Sequence, residues 1–214
     1  MKITIVFDNT PPVVNGLKAD WGFAALVEIG DEKKILFDTG ANGEILLSNM
    51  SVLGIDPSTV DEVFISHAHH DHVGGLPLFL QKNNAVKLWV PPSMSKVGNV
   101  KETVVVHGPT EMHKGIFSTG ELEGIEQAMV METSKGLVLL VGCSHPRMKT
   151  ILGTASQFGT VYGIIGGLHS TSPRDLKGLG LICATHCTRQ KSRIKGLYPQ
   201  AYLPGGAGRV IEVD

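Results

Sequence analysis

Apolar and polar positions along this chain recur with two different periods, and each change of period marks the end of a short element. Residues 2–7, 22–29 and 34–37 read as strands, the third running into Asp38-Thr39-Gly40. Asn42 has the chemistry of a helix N-cap, with Glu44 and Leu46 in the first turns and Gly54 near the end. A buried-strand signal at 63–65 is followed by a helical stretch over 72–80, with Pro77 in its first turn or bending it. The spacing of strands at 87–90, 101–106, 127–132 and 137–141 fits antiparallel meanders. The rest predicts a helix over 147–157, strands over 160–165 and 179–184, a helix over 189–196 and a terminal strand over 209–213. Segments 8–21 and 91–100 read as mobile loops. Two β-rich halves, each with helices attached, predict an α+β fold in which two sheets pack face to face with helices outside.

Composition narrows this picture. A chain of 214 residues with 42% hydrophobic content suits one core, so residues 1–214 are expected to form a single domain. Nineteen basic residues stand against twenty acidic ones, a net charge of −1, which offers no positive field for a nucleic-acid backbone. A small-molecule substrate is the expected partner, and a homo-oligomer is left open. The apolar runs are far shorter than a membrane span, and the start, MKITIVFDN, has the pattern of a strand and not of a secretory signal. Cys143, Cys183 and Cys187 are an odd number without a disulfide framework, which fits a reducing cytoplasm.

The candidate chemistry is concentrated in His67-Ala68-His69-His70-Asp71-His72, between a predicted strand and a predicted helix. In an extended segment His67 and His69 point the same way and can clamp one cation. Asp71 and His72, at the turn into the helix, can face a second. Histidines also cap helices or sit satisfied in cores, but four ligand types at this spacing rarely serve packing alone. Gly74-Gly75 permit close backbone packing beside the cluster.

Residues 66–75, Ser-His-Ala-His-His-Asp-His-Val-Gly-Gly, resemble the HxHxDH signature of the metallo-β-lactamase superfamily. The segments Leu36-Phe37-Asp38-Thr39-Gly40 and Gly142-Cys143-Ser144-His145-Pro146 resemble two further motifs of that superfamily. Asp8-Asn9-Thr10, Gly166-Gly167-Leu168-His169 and Thr185-His186-Cys187-Thr188 are similar to a prokaryotic group within it that includes 7,8-dihydropterin-6-methyl-4-(β-D-ribofuranosyl)aminobenzene-5'-phosphate synthase. The resemblance spans nearly the whole chain and is weakest over 91–125. It implies a four-layer αββα sandwich, two mixed sheets with helices on the outer faces, and one or two divalent cations in a cleft at one sheet edge. It also implies that Asp38 supports the ligands and that His145 completes the first site.

His145 and His186 each end an apolar run, which would present them at a sheet edge. His186 is the expected last ligand of the second cation. His169 stands where many superfamily members carry a bridging aspartate, and imidazole has one lone pair where a carboxylate has two oxygens. It is expected to bind one cation, to bind substrate, or to leave the second site weak. Thr188 reads as a helix N-cap, and Arg189 beside it either favours an anionic substrate or is a solvated helix face. Trp21 either walls the cleft or packs. His70 is expected to face away, and His107 and His113 to be surface or substrate-loop residues. The cysteines read chiefly as small buried thiols, with ligation the lesser alternative.

The expected activity is that of a metal-dependent hydrolase using metal-bound hydroxide on an ester, amide or phosphoester substrate, with an anionic substrate as one expectation. Asp71 would hold the nucleophile and His169 would stabilise charge or protonate the leaving group. The alternatives are a transferase joining a pterin diphosphate to an aromatic amine, implied by the resemblance, and a non-catalytic metal-binding or redox scaffold. Zinc is the expected metal, and manganese or iron would suit the same ligands.

Overall fold

Strands covered on both faces read as unbroken apolar runs, and here the runs sort by residue parity into different cores. The structure, a computed structural model, describes residues 1–30, 33–94 and 97–214. In the first half lie β1 (Lys2–Asp8), β2 (Phe23–Ile29), β3 (Lys33–Phe37), β4 (Glu62–Phe64), β5 (Lys87–Val90) and β6 (Glu102–Val105). A second sheet contains β7 (Thr110–His113), β8 (Ile116–Ser118), β9 (Met129–Thr133), β10 (Gly136–Val141), β11 (Val161–Gly167) and β12 (Leu181–Thr185). The final strand, β13 (Val210–Glu212), returns to pair antiparallel with β1, so the first sheet runs β13-β1-β2-β3-β4-β5-β6 and the second β12-β11-β10-β9-β8-β7.

Phe23, Ala25 and Val27 of β2 face Val138 and Leu140 of β10 in one core between the sheets. The alternate residues Ala24 and Leu26 face outward, under α1 (Gly43–Val52) and α3 (Leu76–Lys82), which contribute Leu46, Met50 and Phe79. Leu137, Leu139 and Val141 likewise face α4 (Met148–Ala155) and α5 (Lys191–Leu197), through Ile151 and Ile194. Helix, sheet, sheet, helix is the expected four-layer order. Asn42 caps α1 as expected, accepting from the backbone N–H of Glu44 and Ile45.

The differences from the sequence reading are local. The stretch expected as one helix over 72–80 is two, α2 (His70–Val73) and α3, broken at Gly74-Gly75. A side chain at Gly74 would collide with Ala41 O, and one at Gly75 with Thr39 O, so the break keeps the histidine segment close against the end of β3. Strands β5 and β6 pair in parallel and not as a meander, with Lys87 opposite Glu102 and Val90 opposite Val105. The hairpin of β7 and β8 gave no sequence signal; Met112 is the one buried residue of β7. Of the loop expected over 91–100, residues 95 and 96 lie outside the described residues. Among the described residues, no helix is long and apolar enough to cross a membrane.

Candidate metal centre

Strands β3, β4 and β5 are parallel to one another, as are β10, β11 and β12, so their C-terminal ends gather along one edge of the sandwich. In open sheets containing parallel strands, ligands bind at that end. Asp38 follows β3, residues 66–72 follow β4, Cys143 to His145 follow β10, His169 follows β11, and His186 and Cys187 follow β12. Four of these, Asp38, Ser144, His169 and His186, hold positive φ without being glycine (54°, 57°, 35° and 44°). Such backbone is costly and concentrates at functional sites.

Two groups of potential ligand atoms result: His67, His69 and His145 in one, and Asp71, His72, Cys143 and His186 in the other, with the atoms of each group within 4.8 Å of one another. The groups adjoin, since the rings of His67 and His72 lie 4.1 Å apart. Asp71 Oδ2 is 3.2 Å from His186 Nε2 and 3.9 Å from His72 Nε2. The Nε2 atoms of His67 and His145 are buried and have no hydrogen-bond partner among the described residues. An unpaired buried ring nitrogen is costly unless something binds it, and imidazole, thiol and carboxylate donors are those that bind a divalent transition cation. The donor set fits such a cation.

The ring nitrogens turned away from the groups are held in place. His72 Nδ1 is 2.7 Å from Asp38 Oδ2, and His67 Nδ1 is 2.9 Å from Ser66 Oγ, which itself donates to Asp38 Oδ2 at 2.7 Å. Ser66 N–H donates to Asp38 Oδ1, so one buried carboxylate orients both imidazoles. His186 Nδ1 is 3.0 Å from Asn9 Oδ1, and its backbone N–H donates to Asp8 Oδ1. The indole N–H of half-exposed Trp21 donates to Asp71 Oδ2 at 2.9 Å, and its ring lies 5.0 Å from that of His186, which places it beside the second donor group.

Burial sets the local electrostatics. It holds His67 down to about 2 and His72 down to about 3, aided by neighbouring imidazoles, so both are neutral and available as donors at ordinary pH. Burial pushes Asp38 up to about 7 against the pull of His67 and the Ser66 hydrogen bonds. Asp71 is held below the usual carboxylate range, chiefly by the imidazole of His186.

His169 lies in neither group. Its ring is 5.1 Å from that of His145, and its buried Nδ1 has no partner among the described residues. The soft donor in the second group is Cys143, where the sequence reading favoured a packing role for the thiols. Thr188 is not a helix cap: its hydroxyl donates to Thr185 O and accepts from Leu168 N–H, and α5 begins later, capped by Gln190 without a side-chain bond. Arg189 is exposed and joined to His169 only through its backbone N–H. His70 and His107 are exposed, and His113 is partly exposed, contacting Glu62 at 3.0 Å.

Sequence reasoning missed Glu126. Its Oε1 accepts from the backbone N–H groups of Gly142, Cys143 and Ser144, and its Oε2 from His145, so one buried carboxylate clamps the whole turn that carries His145. Gly142 must lack a side chain there, since a Cβ would strike Ser66 Oγ and come within 3.1 Å of His67 Nδ1.

A sequence model of the metallo-β-lactamase superfamily matches residues 21–113. A curated relative, 7,8-dihydropterin-6-methyl-4-(beta-D-ribofuranosyl)-aminobenzene-5'-phosphate synthase of Methanocaldococcus jannaschii, is 28% identical over 240 aligned positions, covering 80% of this chain and 82% of that one. Ribonuclease Z of Pyrococcus abyssi is 34% identical over 89 positions, 40% of this chain and 24% of its own length. Among solved structures, Tm1679, a metal-dependent hydrolase of the β-lactamase superfamily, superposes with a TM-score of 0.81 at 24% identity, covering 100% of this chain and 99% of that one. The signature around His67 and the match over residues 21–113 point the same way as the architecture: part of this chain matches the metallo-β-lactamase superfamily, and the whole chain is similar in fold to Tm1679.

Proposed function

We propose that the chain is a metal-dependent hydrolase that cleaves an ester, amide or phosphoester bond in a small anionic substrate. The observation that carries this reading is the pair of adjoining donor groups, with the buried Nε2 atoms of His67 and His145 left without partners. Divalent cations held there would polarise the bond under attack and lower the pKa of water. Zinc suits the donors best, given three imidazoles in one group and a thiol in the other.

The remaining roles fall to residues of this chain. Asp71 stays ionised well below neutral pH and can hold and orient a water proton. His169 Nδ1, beside His145, is free to donate to developing charge or to a leaving group. A cleft of about 400 Å³ next to His145 is lined by Arg147, Lys149, Ser144, Ser170, Thr171 and Asp175; with Arg147 paired to Glu123, Lys149 and the hydroxyls are the groups there that favour an anionic substituent. The free cysteines favour a reducing, cytoplasmic setting.

The test is purification without added metal, elemental analysis, and a screen against phosphodiester, lactone and diphosphate substrates. Turnover should depend on a divalent cation and fall at least about 100-fold in His69→Ala. His169→Ala should keep its metal and lose turnover; unchanged turnover would remove His169 from the mechanism. Two bound cations without turnover on any of these substrates would count against hydrolysis. The likeness to the methanogen synthase favours a second reading, transfer onto an aromatic amine with diphosphate leaving. Incubation with a dihydropterin diphosphate and an arylamine separates the two: a condensed product supports transfer, a free pterin alcohol supports hydrolysis.

A further inference from the structure

Two thiols stand where a hydrolytic mechanism has no use for a second one. Cys143 Sγ belongs to the second donor group and lies 3.2 Å from His72 Nε2. Since His72 Nδ1 is committed to Asp38, Nε2 and the sulfur point at the same space. Cys187 Sγ, arriving from the loop after β12, lies 3.3 Å from Cys143 Sγ. Neither loop drifts freely: Glu126 holds the backbone N–H of Cys143, and the Thr188 hydroxyl ties the residue after Cys187 to both Thr185 and Leu168. Both sulfurs are buried, at 3% and 8% exposure. The third cysteine, Cys183, sits apart in the core between the sheets.

We propose that Cys143 and Cys187 form an oxidative modification site that competes with the second cation: bound metal takes the Cys143 sulfur as a ligand, and the metal-free pair is linked as a disulfide by hydrogen peroxide. The inference rests on the metal reading above. In the oxidation the two thiols give up two electrons and two protons, the sulfur–sulfur bond forms, the oxygen–oxygen bond of the peroxide breaks, and two waters leave. The sulfurs need to close from 3.3 Å to about 2.0 Å. A sulfur committed to a disulfide is no longer a thiolate donor, so oxidation removes one of four potential ligands and leaves Asp71, His72 and His186. The same sulfur makes the second group softer than the first and favours zinc or cobalt over magnesium and manganese.

The experiment has two readouts that do not need a substrate. Wild-type protein loaded with excess Co²⁺ should show a thiolate-to-cobalt charge-transfer band in the near ultraviolet; Cys143→Ser should lose it and Cys187→Ser should keep it. After treatment with hydrogen peroxide, thiols counted in denaturant should fall from three to one in the metal-free chain, with a mass loss of two hydrogens reversed by dithiothreitol, and stay at three in the zinc-loaded chain. Neither serine variant should form the internal link, and circular dichroism should show both folded. A band that survives Cys143→Ser, a metal-free chain that keeps all its thiols, or a zinc-loaded chain that oxidises as fast as the metal-free one would overturn the proposal. A chain that takes up no cation would overturn the hydrolase reading itself, whereas two bound cations with no charge-transfer band would overturn this inference alone.

Discussion

Asp38 concentrates more of the centre's orientation than any candidate ligand does. It is fully buried and accepts from Ser66 N–H, Ser66 Oγ and His72 Nδ1 at once. Asp38→Asn keeps the volume but turns one acceptor into a donor, so either Ser66 or His72 loses its partner. Cation affinity at the second group should fall by about 10–100-fold while the fold survives, as calorimetric titration with zinc would show. The same residues set a pH dependence for the metal-free chain. His67 and His72, held at about 2 and 3 against an ordinary 6.5, contribute stability that is full above about pH 6.5 and is lost as the pH falls. Asp38, raised from 3.8 to about 7, acts in the opposite sense: its contribution is full below about pH 4 and is lost as the pH rises through 7. His145, also held below its ordinary value by burial, acts in the same sense as His67 and His72, so unfolding takes up at least about one net proton between pH 4 and 6, and stability should drop by at least about 1.4 kcal/mol per unit of acidification. Denaturant midpoints measured at pH 4, 5 and 6 check this; midpoints that rise on acidification would contradict it.

At the scale of the elements, the turn after β10 is held from a distance. Glu126 lies before β9 and anchors four consecutive backbone N–H groups after β10. Glu126→Gln removes the acceptor for His145 N–H and sets an amide NH₂ against it, at a cost of about 2 kcal/mol. Thermal unfolding should show that loss, and zinc analysis a weaker first group. The contrast with the histidine segment explains what was legible in the sequence. His67 to His72 are contiguous, and the strand before them orients them, so their purpose can be read locally. His145 and His186 were legible because each follows an apolar run that could only be a buried strand. Glu126, Asn9 and Cys143 act through partners 16 to 177 residues away; the segments around Asn9 and Cys143 stood out by resemblance without naming those partners, and nothing beside Glu126 distinguishes it from an ordinary turn acid. The split between α2 and α3 is of the same kind: Gly74-Gly75 signalled close packing, but only Ala41 O and Thr39 O say against what.

On the scale of the whole molecule, each donor group draws on both sheets. His67, His69, Asp71 and His72 come from the first, and His145, Cys143 and His186 from the second. A cation in either group therefore ties the sheets together along one edge, and chelation should lower the unfolding temperature. Bound at a hundred times its dissociation constant, one cation adds about 2.7 kcal/mol; an unfolding temperature indifferent to chelator would argue against sheet-bridging sites. The layered architecture was legible because both sheets are apolar on both faces. The return of β13 to the first sheet was not, since a three-residue strand carries no mark of its partner. The two tryptophans divide the molecule in another way. Trp89 is buried with its N–H on Glu62, while Trp21 is half in solvent with its N–H on Asp71 and its ring against His186. The chain thus carries its own optical gauge: emission from Trp21 reports the second donor group, Trp89 supplies a constant background, and Trp21→Phe should silence the response to added zinc without altering the fold.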